Sequence, residues 1–223
     1  MPLIPCSMFK ALSASALAVL GFGASLGAQA QVVNGNFASG LNQWAAYGDV
    51  YVVANALTLT SAYAGDDGVA VTVSGQNAVW IDTLEPQVGV AAYGLDRAGE
   101  SAYEGALAQQ TFTVAAGQSL GFEWSFSTNE TSFSDNAFIV INGQVVNLAS
   151  RGTPTGWQSY GSSFAQAGPV TLTFGVVDTG DAVGTSTLQV RNVTVSAVPE
   201  PDGWALWAVG AALLGGVVRR RTR

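Results

Sequence analysis

The 223-residue chain contains no histidine, and its one cysteine, Cys6, and one lysine, Lys10, both lie near the N-terminus. These absences exclude a Ser-His-Asp triad, a Cys-His pair, a Cys/His zinc site and a haem histidine. Basic residues are almost as scarce: between Gln31 and Val198 only Arg97, Arg151 and Arg191 stand against 13 acids, a net charge of −10. Such a surface repels nucleic acid, which needs clustered Lys and Arg against phosphate. It also repels anionic headgroups and acidic polysaccharide unless divalent cations bridge them. It is well suited to solubility outside the cell. The chain also lacks an internal repeat, a low-complexity linker and a long amphipathic helical pattern.

The two ends differ from the middle. Near the start, Lys10 precedes an uncharged small and apolar stretch, Ala11–Gly23, and then Ala28-Gln29-Ala30. That is the layout of a secretory signal peptide with signal peptidase acting after Ala30, so residues 1–30 are expected to be removed. The cut would take Cys6 with it. An exported domain without a disulfide must then be held by its core, and 31–197 is long enough to supply one.

At the other end, Trp204–Val218 is 15 residues without a charge. As a helix it reaches roughly 22 Å, short of the ~30 Å hydrocarbon layer. Arg219, Arg220, Arg221 and Arg223 cluster beyond it. The positive-inside rule keeps that end cytoplasmic and the domain on the far side. Upstream, Pro199-Glu200-Pro201 keeps the backbone extended and stops a helix from running back. Triplet, short apolar helix and Arg219–Arg221, in this order, resemble a PEP-CTERM sorting signal over 198–223. The resemblance implies recognition by an exosortase in the inner membrane of a Gram-negative bacterium. It also implies processing near the triplet, transient membrane anchoring, and delivery to the cell surface or exopolysaccharide matrix.

The middle alternates with period two. "SLGFEWSFST" sets Leu120, Phe122, Trp124 and Phe126 on one face and turns Glu123 outward. "PVTLTFGVV" does the same with Val170, Leu172, Phe174 and Val176. "AFIVINGQVVNLA" reads as a hairpin about Asn142-Gly143. Further strands are expected in "DVYVVA", "LTLTS", "VAVTVS", "AVWID", "ALAQQTFTV", "WQSYGSSF" and "STLQVRNVTVS", separated by Gly/Asp/Asn/Ser turns. About ten short strands point to a single all-β sandwich domain.

The mature start, "VVNGNFASGLNQWAAYGDV", with Asn34-Gly35-x-Phe37 and then Trp44, resembles the opening strand of jelly-roll domains of the galactose-binding or carbohydrate-binding-module type. Three later blocks, within 107–130, 134–143 and 168–195, are similar to segments of PEP-CTERM proteins. The resemblance implies a jelly-roll β-sandwich, often with a structural calcium ion near the first and last strands. Here Ala38 and Arg191 stand where that family usually has acids. Calcium wants several hard oxygen ligands, so this calcium site is expected to be absent.

Candidate chemistry is sparse. Glycoside hydrolysis needs two placed carboxyl groups, and Glu123, Glu130 and Asp135 lie close in sequence. Glu123 belongs to an alternating strand, and the other two to a turn-rich stretch. "DTGDAVGTS", with Asp178 and Asp181, reads as a strand connection in preference to a calcium loop. Trp44 and Trp157 follow turn-like segments and are the candidate contacts for a sugar ring, although core or rim packing is the simpler explanation of each. The expected protein is an exported, non-enzymatic structural or adhesive component of the surface or matrix. Its alternatives are a carbohydrate-binding lectin-like module and, behind that, a polysaccharide hydrolase. No cofactor is implied, and the partners are signal peptidase, an exosortase and exopolysaccharide.

Overall fold

The computed structural model describes residues 32–67, 71–97, 99–153 and 156–196. The expected signal peptide, the Pro-Glu-Pro triplet, the apolar tail and its arginines lie outside them. The described strands are β1 (Ala45–Tyr47), β2 (Asp49–Val53), β3 (Ala56–Thr60), β4 (Val79–Trp80), β5 (Ala102–Val114) and β6 (Ser119–Thr128). They continue with β7 (Asn136–Ile141), β8 (Gln144–Ser150), β9 (Gln158–Ser163), β10 (Gly168–Thr179) and β11 (Ser186–Ser196). One helix, α1 (Ile81–Val88), follows β4 directly.

The strands form a two-sheet antiparallel sandwich. Sheet A runs β1-β5-β10-β7-β8 with β4 also on β5, and sheet B runs β2-β3-β11-β6-β9. Alternation specifies which side chains enter the space between them. In β6, Leu120, Phe122, Trp124 and Phe126 are buried and the residues between them are half-buried, as the period-two pattern requires. Across the core, the Phe37, Trp44, Phe174, Phe122 and Tyr160 rings touch in sequence at centroid distances of 4.8–5.7 Å. Tilted, edge-on and offset ring contacts of this kind add to the area they bury.

Sheet A has a second apolar layer outside it. Leu107, Phe138, Val140 and Val177 point away from the main core and are covered by Leu84, Val88 and Leu95 of α1 and the loop after it. This explains why "AFIVI" has no polar positions: β7 is buried on both faces. Gly175 sits where a Cβ would come within 2.4 Å of the Phe138 ring, so the ring can lie flat over β10 only at a glycine. The β7–β8 hairpin turns at Asn142 and Gly143, with φ of 50° and 79°, the left-handed pair its sequence calls for.

Three expectations are corrected. "VAVTVS" is not a strand in its described part, because the N–H groups of Val73 and Ser74 donate to the Asp49 carboxylate at 2.8 and 2.7 Å instead of to a neighbouring strand. "AVWID" contributes only two strand residues before α1 begins; Ile81, Leu84 and Val88 have helical spacing, but Pro86 disguises so short an element. The opening segment is a set of turns and not a strand. Asn34, Phe37 and Gln43 have positive φ, and the Asn34 amide bridges the carbonyls of Gly40 and Asn42.

Candidate functional site

The outer face of sheet B is built unlike that of sheet A. Residues paired directly across antiparallel strands share a face. Tyr51 pairs Thr58, Thr58 pairs Gln189, and Gln189 pairs Ser125, which makes one row across four strands. Beside it, Arg191 pairs Glu123 and Glu123 pairs Ser159. Every member of both rows except Tyr51 is polar or charged. Ser125 Oγ donates to Gln189 Oε1 at 3.4 Å.

Aromatic rings stand at both edges of this floor. Tyr51 on β2 is 54 % exposed, and Trp157, immediately before β9, is 38 % exposed. From β2 to β9 is four strand spacings, about 19 Å. The Trp157 ring is held: the Arg191 guanidinium carbon lies 3.8 Å from its centroid and covers one ring face. Arg191 is fixed in turn by Glu123, with Nε to Oε2 at 3.0 Å, and Asn192 Nδ2 donates to the same oxygen at 2.6 Å. The Asn192 hydrogen bond, and after it Arg191, hold the Glu123 carboxyl below the usual range, so it stays ionised. An exposed ion pair contributes little to stability. Its larger consequence here is geometric, since it orients the cation that clamps the tryptophan.

One end of the face is walled. The Asp49 carboxylate accepts hydrogen bonds from Thr60 Oγ1 and from Ser74 Oγ as well as from the two backbone N–H groups named above. The segment around Val73 and Ser74 is thereby tied down over the outer side of β2 and β3. The arrangement offers flat apolar surface at the rim and hydroxyl, amide and charged groups between.

The structure separates the two candidate tryptophans. Trp44 is a core residue, 6 % exposed, packed between Phe37 and Phe174 with its indole N–H directed to the Asn34 carbonyl at 3.4 Å. It has no face to offer a ligand, whereas Trp157 does. Tyr51 escaped notice in the sequence, although the alternation of "DVYVVA" already turns it outward between Val50 and Val52.

The candidate hydrolytic acids do not converge on this face. Glu123 is the anchor just described. The Glu130 carboxylate accepts the N–H groups of Ser132 and Phe133 within its own turn. Asp135 is buried and accepts from Thr179 N at 3.0 Å and Ser186 Oγ at 2.8 Å. Arg191 is committed to Glu123 and Trp157, while Ala38 lines a separate hollow of about 380 Å³ beside Tyr51, Ala54 and Asn55. Asp178 is the last residue but one of β10 and Asp181 lies in the turn before β11, as the strand-connection reading expects.

No protein-family model matches the chain, and no curated protein matches it. Solved structures of carbohydrate-binding modules do, at a distance. A CBM4 structure is 12 % identical, with a TM-score of 0.39, covering 72 % of this chain and 98 % of its own. A family 61 module in complex with β-1,4-galactotriose is 12 % identical, with a TM-score of 0.39, covering 74 % and 96 %. A family 16 carbohydrate-binding module is 12 % identical, with a TM-score of 0.34, covering 74 % and 99 %. The description of the chain as a two-sheet antiparallel sandwich rests on its own strand order and packing.

Proposed function

We propose that the domain binds neutral polysaccharide on the outer face of sheet B, as a non-enzymatic carbohydrate-binding module of an exported protein. One observation carries the reading: a floor of Gln189, Ser125 and Ser159 lies between two exposed aromatic residues, one of them clamped in place by Arg191. Aromatic faces take the C–H side of a pyranose ring, and amides and hydroxyls take its hydroxyl groups. A ring already held by its neighbour loses less freedom on binding. The excess of acids disfavours anionic polymers and leaves neutral ones.

The tail supplies the setting. We read Pro199-Glu200-Pro201 and Arg219–Arg221 as an exosortase address, with the domain delivered to the surface or matrix, where glycan binding makes it adhesive. Affinity electrophoresis through gels holding single neutral polysaccharides tests the binding. Retardation in at least one gel, abolished by Trp157→Ala with the fold intact, is expected. Free migration in a broad panel would leave the outer face of sheet B without a ligand and refute the reading.

A further inference from the structure

The two exposed rings of sheet B lie on one line across the strands. Tyr51, Thr58, Gln189 and Ser125 pair in turn, and one step beyond the Trp124–Gln158 pair Trp157 stands level with Ser125. At the Tyr51 end of this line the edge of the sandwich is hollowed. A cavity of about 380 Å³ lies between the β2–β3 hairpin and the opening segment. Tyr51, Ala54 and Asn55 stand in one wall, and Phe37, Ala38 and Leu41 in the other.

Both walls are fixed in advance of any ligand. The opening segment is tied by Asn34, whose amide bridges the Gly40 and Asn42 carbonyls and whose side-chain oxygen accepts from Ser39 N at 3.1 Å. Phe37, at its centre, is buried in the main core. The hairpin is closed by the Val53–Ala56 pair, which leaves Ala54 and Asn55 as a two-residue turn with φ of 49° and 60°. Such a turn favours Asn followed by Gly, because both positions are left-handed. Here alanine takes the first position, at a cost in backbone strain that glycine would not incur. Strain of this kind is kept where it serves a site, and Ala54 lines the hollow. Asn55 is exposed, and among the described residues its amide has no hydrogen-bond partner. Apolar walls with a free amide beside them suit a sugar, and the volume falls within the roughly 300–1,000 Å³ of ligand pockets.

We propose that this hollow holds the terminal sugar unit of the glycan, so that the domain recognises chain ends and not the interior of a polymer. The inference rests on the sheet B platform and adds which part of the polysaccharide is held there. A chain laid along the line from Trp157 to Tyr51 reaches the hollow at the β2 edge, where the opening segment stands across from β2. A terminal unit can stop there. An internal unit would need a path onward through that segment.

The test uses the full chain with three neutral probes, dextran, mannan and hydroxyethylcellulose. Each is used intact and cut by dilute acid into short chains of the same total mass. For each probe that retards the protein, calorimetry counts binding sites per gram. End recognition makes that count rise in proportion to the number of chains released. Borohydride, which opens the ring at the reducing end alone, tells which terminus is held: loss of binding assigns the reducing end, and full binding the other. Ala38→Trp fills the hollow from an exposed position and should weaken binding about tenfold or more. Asn55→Gly suits the left-handed turn while removing the amide, so it should weaken binding without lowering the melting temperature. No retention of the parent chain by any probe refutes the platform and this inference with it. Retention with a site count that stays level or falls on cutting, or with both variants binding as the parent does, leaves the platform standing and refutes the terminal site.

Discussion

The two outer faces of the sandwich follow opposite rules. Sheet A presents Leu107, Phe138, Val140 and Val177 outward and needs α1 to cover them. Sheet B presents Gln189, Ser125, Glu123 and Arg191 and has aromatic rings only at its edges. The first face is completed by its own chain. The second can remain in water unaided, so its exposed Tyr51 and Trp157 are not explained by a need for burial. An apolar ring left exposed on a polar face, and fixed there by a cation and an ion pair, is better explained by a ligand than by folding.

The sharpest way to break the comparison is to damage the covered face. Phe138→Ala should cost about 3–5 kcal/mol, measured by denaturant unfolding, because it opens a cavity between β7 and α1. Glycan retention by the folded fraction should be unchanged. If retention disappeared with the stability, the two faces would not be independent.

The pH dependence comes next in size. Burial first, then Asp66 and Asp67, push the folded pKa of Glu104 up to about 7 from an ordinary 4.5. A raised folded pKa means the native state holds the proton more tightly than the unfolded chain does. Its contribution is therefore complete below pH 4.5 and is lost as pH rises through 7, on the order of 3 kcal/mol for this shift. The chain should melt higher at pH 5 than at pH 8. Glu123 is held below its usual range, so glycan retention should stay level over the same interval.

Trp157→Ala should reduce glycan binding about tenfold or more in affinity electrophoresis, as the loss of an aromatic anchor does, and move stability by less than about 1 kcal/mol. Glu123→Gln should have the smallest effect. It should leave unfolding nearly unchanged and weaken binding several-fold, because Arg191 would lose its anchor and Trp157 its clamp.

Much of the fold is legible in the sequence because period two is a local signal. β6, β10 and the Asn142-Gly143 hairpin stand where alternation and turn chemistry put them. α1 is not legible, since two helical turns containing Pro86 carry little periodicity and the reason for the helix is the apolar patch on sheet A beneath it. The opening segment misleads because its strand-like composition is overruled by Asn34 and Gln110, whose side chains take up the backbone groups of Val33, Gly40, Asn42 and Gln43. The platform is half legible: Trp157 is visible as a tryptophan after a turn, but its clamp depends on Arg191, 34 positions further along the chain. The burial of Glu104 and Asp178 is illegible for the same reason, since only the assembled sandwich encloses them.

The most direct measurement is a titration of the isotopically labelled protein, followed by amide and indole NMR, with oligosaccharides cut from whichever neutral polysaccharide retains it. The platform reading expects the Trp157 indole N–H and the amides around Thr58, Ser125 and Gln189 to shift together, while those of β7 and α1 stay still. Shifts centred on α1 and β7, or a silent Trp157 at saturation, would contradict it.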